Sequence, residues 1–133
     1  MGLSPNYWGR QGWHFIHMVA LNYPQHPTEE DKKNYLNFLN SLVSVLPCPI
    51  CGVHFAENLK KNPPRLESQY EFFRWTVDVH NAVNISNNKE VMDYDTAYEQ
   101  VMKNAKANEA ENLKRLGSDA RFLLRLTKNN KRL

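Results

Sequence analysis

Cys48 and Cys51 are the only two cysteines of the chain, and they stand in Cys48-Pro49-Ile50-Cys51 with His54 and Phe55 close behind. On a helix that spacing puts both thiols on one face, a turn apart. Pro47 and Pro49 flank Cys48, and proline suits the first turn of a helix, where its missing N–H costs nothing. The residues therefore predict Cys48 at or just before a helix N-terminus and Cys51 in the first turn. Free N–H groups and the positive dipole end favour thiolate over thiol at that place. A pair so spaced can also close a disulfide with little backbone movement, which is the chemistry of a reversible dithiol/disulfide couple. Two other readings fit the same residues. Cys48, Cys51 and His54 could be three zinc ligands, with His80 or another histidine as the fourth, or the thiols could be buried and inert. Spacing alone leaves all three open.

The elements that must hold this pair read as helices throughout. Ser4-Pro5 is an N-cap followed by a first-turn proline, and the pattern runs on to about Leu21 with Trp13, His17, Ala20 and Leu21 on one face. Thr28-Glu29-Glu30-Asp31 is a second helix start, a capping residue and then acids. Tyr35, Leu39, Leu42 and Leu46 form the stripe that follows, with Leu36 and Val43 beside it, and Leu46-Pro47 ends it. The cysteine helix runs to about Lys61 and stops at Asn62-Pro63-Pro64. A fourth helix starts at Glu67 or Ser68 and continues to about Ile85, carrying Phe72, Phe73, Trp75, Val77, Val79, His80 and Val83. Asp93 to about Lys103 predicts a short fifth helix with Tyr94, Ala97, Tyr98 and Val101 on one side. No strand pattern competes. The expected fold is all-α: an antiparallel four-helix bundle with a short fifth helix.

The chain has 133 residues and a formal net charge of +3, enough for one domain with a real core. It has no apolar run long enough to span a membrane, and Met1 to Asn6 lacks the features of a signal peptide. Two cysteines cannot make a multi-disulfide secreted scaffold. Charge is uneven. Residues 105–133 hold eight Lys/Arg against three Asp/Glu, a net of +5, so the remainder nets −2. Gly117-Ser118 reads as a helix stop and a new N-cap, and Leu116, Ala120, Leu123 and Thr127 would line a last helix. The expected division is a domain over 1–104 and a basic helical extension over 105–133. That extension is either a solvated helix or frayed tail, or a basic surface for nucleic acid, anionic lipid or an acidic partner.

The histidines and tryptophans form a second constellation. Trp13 and His17 stand four apart on the first helix, His80 and Asn84 four apart on the fourth, with Asn81 adjacent and Trp75 earlier on that helix; His54 lies on the cysteine helix. Each alone is an ordinary core or surface residue. Together, three helices bring flat rings and hydrogen-bonding groups to one interior, and a bundle core is a natural cofactor site. A large planar heterocycle suits such walls. Zinc accounts for the histidines but not for the tryptophans or asparagines.

Trp8-Gly9-x-x-x-Trp13-x-x-x-His17, then Cys48-Pro49-Ile50-Cys51-x-x-His54-Phe55, then Trp75-x-x-x-x-His80-Asn81-x-Val83-Asn84-x-x-x-x-Lys89 resembles the Erv/ALR family of FAD-dependent sulfhydryl oxidases. The resemblance spans about Tyr7 to Val101, and its short form is most similar to the members found in large DNA viruses. It implies a four-helix bundle with a small fifth helix that holds FAD beside the CxxC pair, commonly as a homodimer. It implies oxidation of a protein dithiol, such as a thioredoxin-like or small CxxC carrier, with O2 as final acceptor. Position by position, it makes Cys51 the cysteine beside the flavin and Cys48 the one that meets substrate. Trp13, His17, Trp75, His80, Asn81, Val83 and Asn84 would line the isoalloxazine and adenine sites. Gly9, Arg10, Tyr35, His54, Phe55, Lys89 and Tyr94 would be secondary contacts, with Lys89 and Arg10 charged toward the pyrophosphate.

The departures are specific. No cysteines remain for the extra CxxC shuttle or the structural disulfide of many cellular members. The position after Asn84, often basic in the family, is Ile85, which thins the phosphate grip. Residues beyond about Asn104 have no counterpart. The resemblance implies work in the cytoplasm, or, for a viral protein, in the host cytoplasm or virion. The rival from another class is a zinc-stabilised helical adaptor whose basic tail binds nucleic acid.

Overall fold

A computed structural model describes residues 2–115, with side chains placed through Lys103 and at Lys106 and Ala107. The chain forms five helices: α1 (Pro5–Leu21), α2 (Glu29–Val45), α3 (Pro49–Lys61), α4 (Gln69–Ser86) and α5 (Tyr94–Arg115). No strand occurs among the described residues, as an all-α bundle requires. The chain divides into two compact units, Met1–Ala97 and Tyr98–Leu133.

Local chemistry fixes the helix starts. The Ser4 hydroxyl accepts from the Asn6 N–H and Pro5 opens α1. Thr28 and Asp31 form a reciprocal capping box at α2, each side chain accepting the other's backbone N–H at 3.0 and 2.9 Å. Ser68 caps α4 through the Glu71 N–H at 3.1 Å. The Asp93 carboxylate takes the Thr96 N–H at 2.8 Å at the entry to α5. The Ser4, Thr28 and Ser68 caps each contribute about 1 kcal/mol.

In the first unit α1 packs on α4 and α2 on α3. Tyr23, Leu39, Phe72, Trp75, Val77 and Val79 are fully enclosed. Tyr23, Tyr35 and Phe72 meet edge to face with centroids 4.7 to 5.8 Å apart, the arrangement that ring quadrupoles favour. Gly52 lets α3 approach α2 closely, because a Cβ there would collide with the Val43 carbonyl. The Tyr23 hydroxyl donates to the Leu66 carbonyl at 2.7 Å, and the Gln69 amide donates to the Leu21 carbonyl. These bonds tie the loops around α4 to the end of α1.

The fifth helix is longer than its expected span. It continues to Arg115, 22 residues in all. Residues 104–115 are rich in Ala, Glu, Lys and Asn, with no Pro or Gly before Gly117, and strong helix formers carry the helix on. The last helix expected after Gly117-Ser118 lies outside the described residues.

Candidate active site

Cys48 is the N-cap of α3, and Pro49 is its first residue. The Cys48 sulfur accepts the Cys51 N–H at 3.3 Å. The two cysteines are joined in a disulfide with Cα atoms 5.2 Å apart. Cys51 thus lies in the first turn, where the unpaired N–H groups favour a thiolate once the bond opens.

Residues 2 and 3 cross the backbone that leads into this disulfide, at Pro47–Pro49. The Leu3 N–H donates to the Pro47 carbonyl at 2.6 Å, and the Trp8 indole donates to the Leu3 carbonyl at 3.1 Å. A Cβ on Gly2 would fall 2.6 Å from Pro49 Cδ, 2.9 Å from the Pro47 carbonyl oxygen and 3.0 Å from Cys48 Cα. Only glycine passes so near. Cys48 is 6% exposed, while Cys51 is partly exposed.

A second cluster joins α1 to α4. His17 is buried, with Nδ1 2.9 Å from Thr76 Oγ1 and Nε2 3.1 Å from His80 Nδ1. Trp13 stacks flat on His80, centroids 4.4 Å apart and planes 7° from parallel. Burial, and then the neighbouring His80 and His14, push the His17 pKa down to about 3. Burial, and then the Lys89 ammonium, push His80 down to about 4. Both imidazoles are therefore neutral at neutral pH. Asn88 adopts φ 57° just past α4, a left-handed turn that Asn tolerates. The Lys89 N–H then returns to the Asn84 carbonyl at 2.8 Å. This turn brings the Lys89 charge within reach of His80.

The residues singled out from sequence separate into groups. His80, Val83 and Asn84 share one face of α4, opposite Trp13 and His17; Gly9, Trp13 and His17 fall four apart along α1, and Arg10 is exposed beside them. Asn81 also bonds the segment that precedes α5. Its carboxamide donates to the Met92 carbonyl at 2.8 Å and accepts the Met92 N–H at 3.0 Å, pinning the strand of chain before α5. Tyr94 donates to Asp78 at 2.5 Å and lies under Arg74, whose guanidinium carbon is 4.2 Å from the ring centroid. Asp78 and His80 are two residues apart and so face opposite sides of α4. Trp75 is 1% exposed and donates its indole N–H to the Asn62 carbonyl at 2.8 Å. Phe55 is core, Tyr35 packs on Tyr23 and Phe72, and His54 is exposed on α3.

The Erv1 / Alr family model matches residues 10–106. The chain belongs to the Erv1/Alr family. It is 44% identical over 104 residues to a protein described as a probable FAD-linked sulfhydryl oxidase of Acanthamoeba polyphaga mimivirus, covering 76% of this chain and 73% of that one. It is 31% identical over 97 residues to the FAD-linked sulfhydryl oxidase of African swine fever virus, isolate Pig/Kenya/KEN-50/1950, covering 71% of this chain and 82% of the viral one. The crystal structure of the FAD-binding domain of Erv1 from Saccharomyces cerevisiae superimposes with a TM-score of 0.67 at 33% identity, over 70% of this chain and 89% of that domain.

The zinc-stabilised adaptor has no support in this Erv1/Alr chain. Thiols joined in a disulfide cannot ligate zinc, and no three His, Cys, Asp or Glu side chains gather as metal ligands among the described residues. Two features carry no signal in the sequence. Thr76 sits inside an apolar run and looks like filler, and Gly2 and Leu3 meet the Pro47–Pro49 backbone only through the fold.

Proposed function

We propose that this chain is a FAD-linked sulfhydryl oxidase that makes disulfides in protein dithiols through Cys48 and Cys51. The observation that carries this is the disulfide itself: it caps the N-terminus of α3 in a bundle of the Erv1/Alr family. The relatives described as FAD-linked sulfhydryl oxidases support the same activity.

The residues present fit the cofactor. Trp13 offers a flat ring. Neither His80 Nε2 nor the Asn84 carboxamide has a hydrogen-bond partner among the described residues. A Cβ at Gly9 would meet only Pro5 Cβ, at 3.8 Å, so the stripe beside Trp13 is open. The binding residues are therefore Gly9, Arg10, Trp13, His17, His80, Val83, Asn84 and Lys89. Lys89 and Arg10 supply charge for the pyrophosphate, which Ile85 cannot. Asn81, Trp75, Tyr35, Phe55 and Tyr94 hold the helices that carry those walls.

A substrate thiolate attacks the Cys48 sulfur, and Cys51 leaves as thiolate in the first turn of α3, where free N–H groups stabilise it. The second substrate thiol attacks the mixed disulfide and releases Cys48. The substrate leaves as a disulfide, and the enzyme dithiol holds the electron pair. FAD, when bound, would supply the redox chemistry that passes this pair, with two protons, to O2 as H2O2. Neutral His17 and His80 add no positive charge of their own against the ring wall.

Residues 1–104 are the oxidase and 105–133 a basic extension that attracts an acidic partner. Truncation after Asn104 leaves oxidation of a small dithiol intact and removes the salt dependence seen with a protein substrate. The chain works as a homodimer. Phe15, Val19, Asn22, Asn34, Tyr35 and Phe38 line a groove of about 320 Å³ along α1 and α2, and Phe15 is 54% exposed. A second copy covers this apolar face, and sedimentation of Phe15→Glu against the native chain tests it. No helix among the described residues is long and apolar enough to cross a membrane. The viral relatives favour a viral protein acting in the host cytoplasm or virion. The activity is tested by the absorption spectrum of the purified protein and by O2 uptake with a reduced dithiol. A colourless protein that consumes no O2 overturns it.

A further inference from the structure

We propose that Thr76 is a positioning residue whose hydroxyl sets the hydrogen-bond polarity of the His17–His80 pair, so that His80 turns a bare Nε2 lone pair toward an N–H or O–H donor of the cofactor. This rests on the assignment of His80 to the cofactor site.

The proton positions follow from the contacts. Thr76 Oγ1 lies 2.6 Å from the Phe73 carbonyl oxygen. A carbonyl has no hydrogen to give, so a separation that short requires the Thr76 hydrogen between the two oxygens. Thr76 then has only lone pairs for His17 Nδ1, 2.9 Å away, and that nitrogen must carry a proton. Thr76 is fully buried and His17 nearly so. His17 holds one proton only, because burial and the nearby His80 and His14 keep it neutral. Its Nε2 is therefore an acceptor.

His80 Nδ1, 3.1 Å from that Nε2, must be the donor. His80 is neutral too, held so by burial and by Lys89. Its one proton is spent on His17, and its Nε2 is bare. The chain runs from the cofactor side inward: His80 donates to His17, His17 to Thr76, Thr76 to the α4 backbone. Every link fixes the next, and the outermost atom is an acceptor with no protein partner among the described residues. FAD carries such donors on the flavin ring, the ribityl and ribose chains and the adenine amino group. A ligand presenting only acceptors at this atom would be rejected, since two lone pairs would face each other.

The test uses the full chain labelled with 15N-histidine, with FAD bound and after its removal. In the native protein His17 and His80 should both show a protonated Nδ1 and a pyridine-type Nε2. Thr76→Val removes the acceptor, and the pair should invert so that His17 Nε2–H donates to His80 and His80 Nε2 becomes a donor. FAD binding should weaken about tenfold, on the order of one lost hydrogen bond to a buried group. Thr76→Ser should restore both tautomers and affinity. Parallel titrations with ADP and FMN show which half of the cofactor holds the donor: the ligand that keeps its affinity in Thr76→Val lacks it. A native Nε2–H form of either histidine overturns the proposal, even where Thr76→Val fails to fold. So does inversion without loss of FAD affinity, which would remove His80 from the cofactor site while leaving the oxidase assay unaffected.

Discussion

The Trp13 indole lies flat against the His80 imidazole, 4.4 Å between centroids and 7° from parallel. The pair joins α1 to α4, beside the His17–His80 and His17–Phe73 ring contacts between the same two helices. Trp13→Ala removes that wall. Stacked rings contribute about 0.5–1.5 kcal/mol beyond their area, so FAD affinity should fall by roughly threefold to tenfold. Flavin fluorescence titration reads it. Unchanged affinity would put the ring elsewhere than beside Trp13.

The two cysteines should separate spectroscopically but not in turnover. Cys48→Ser and Cys51→Ser each abolish dithiol oxidation while FAD stays bound, because rings and polar side chains hold it rather than sulfur. With Cys48 removed, a free Cys51 thiolate beside the flavin should give a long-wavelength band that Cys51→Ser lacks. The reverse pattern would exchange the roles of the two.

Acid should loosen the α1–α4 seam. His17 and His80 are held neutral in the fold, with pKa values lowered from 6.5 to about 3 and about 4. As pH falls below 6.5 the unfolded chain takes up these protons first, so the unfolded state gains. Their contribution to stability is complete above about pH 6.5 and drains away as pH drops toward 4, further for His17. Melting temperature should therefore fall across that window, and His17→Gln should flatten part of the decline. A melting temperature independent of pH between 7 and 4, windows the lowered values define, would contradict neutral buried imidazoles.

Much of this was legible beforehand for a physical reason. Caps are local: Ser4-Pro5, Thr28 with Asp31, and Ser68 specify helix starts with neighbours in sequence, and those starts are where they were expected. The Cys48–Cys51 pair is local too. What could not be read was the use each polar side chain makes of distant partners. Asn81 reads as a cofactor contact, and nothing in its neighbours in sequence shows the two bonds its amide makes to Met92. Thr76 reads as filler until Phe73 and His17 fix its hydroxyl. Such pairings depend on which face of α4 meets which neighbour, and an aromatic-rich helix offers several faces of similar polarity.

Tyr94 gives a direct check on that division of α4. Its hydroxyl bonds Asp78, which also takes Arg65 at 2.8 Å, while Arg65 reaches Glu71 at 3.2 Å. The phenol pKa is raised by the Asp78 hydrogen bond and then by burial. Tyr94→Phe should lower stability by about 1.5–3 kcal/mol, the range for a hydrogen bond to a charged acceptor, and leave FAD affinity unchanged. Denaturant melts and flavin titration together decide. A large loss of affinity would return Tyr94 to the cofactor site.

Gly2 and Leu3 cross the backbone at Pro47–Pro49, and the expected consequence is selection of substrates by size. Cys48 is 6% exposed beside it, so if this segment screens the sulfur a thiol should have to slip past it or lift it by breaking the Leu3–Pro47 bond. A slender reductant and a folded partner then meet different barriers: the first a crevice, the second a hinge held by one backbone hydrogen bond and the Trp8 indole. Gly2→Ala cannot keep the crossing, because its Cβ has no room against Pro49 and Cys48. With the segment displaced, rates on a bulky protein dithiol should rise more than rates on a small one. Equal changes for both would mean that the segment lies over the disulfide without screening it. Selectivity in this oxidase would then be set less by recognition of a partner's surface than by the ease with which that partner can push two residues aside.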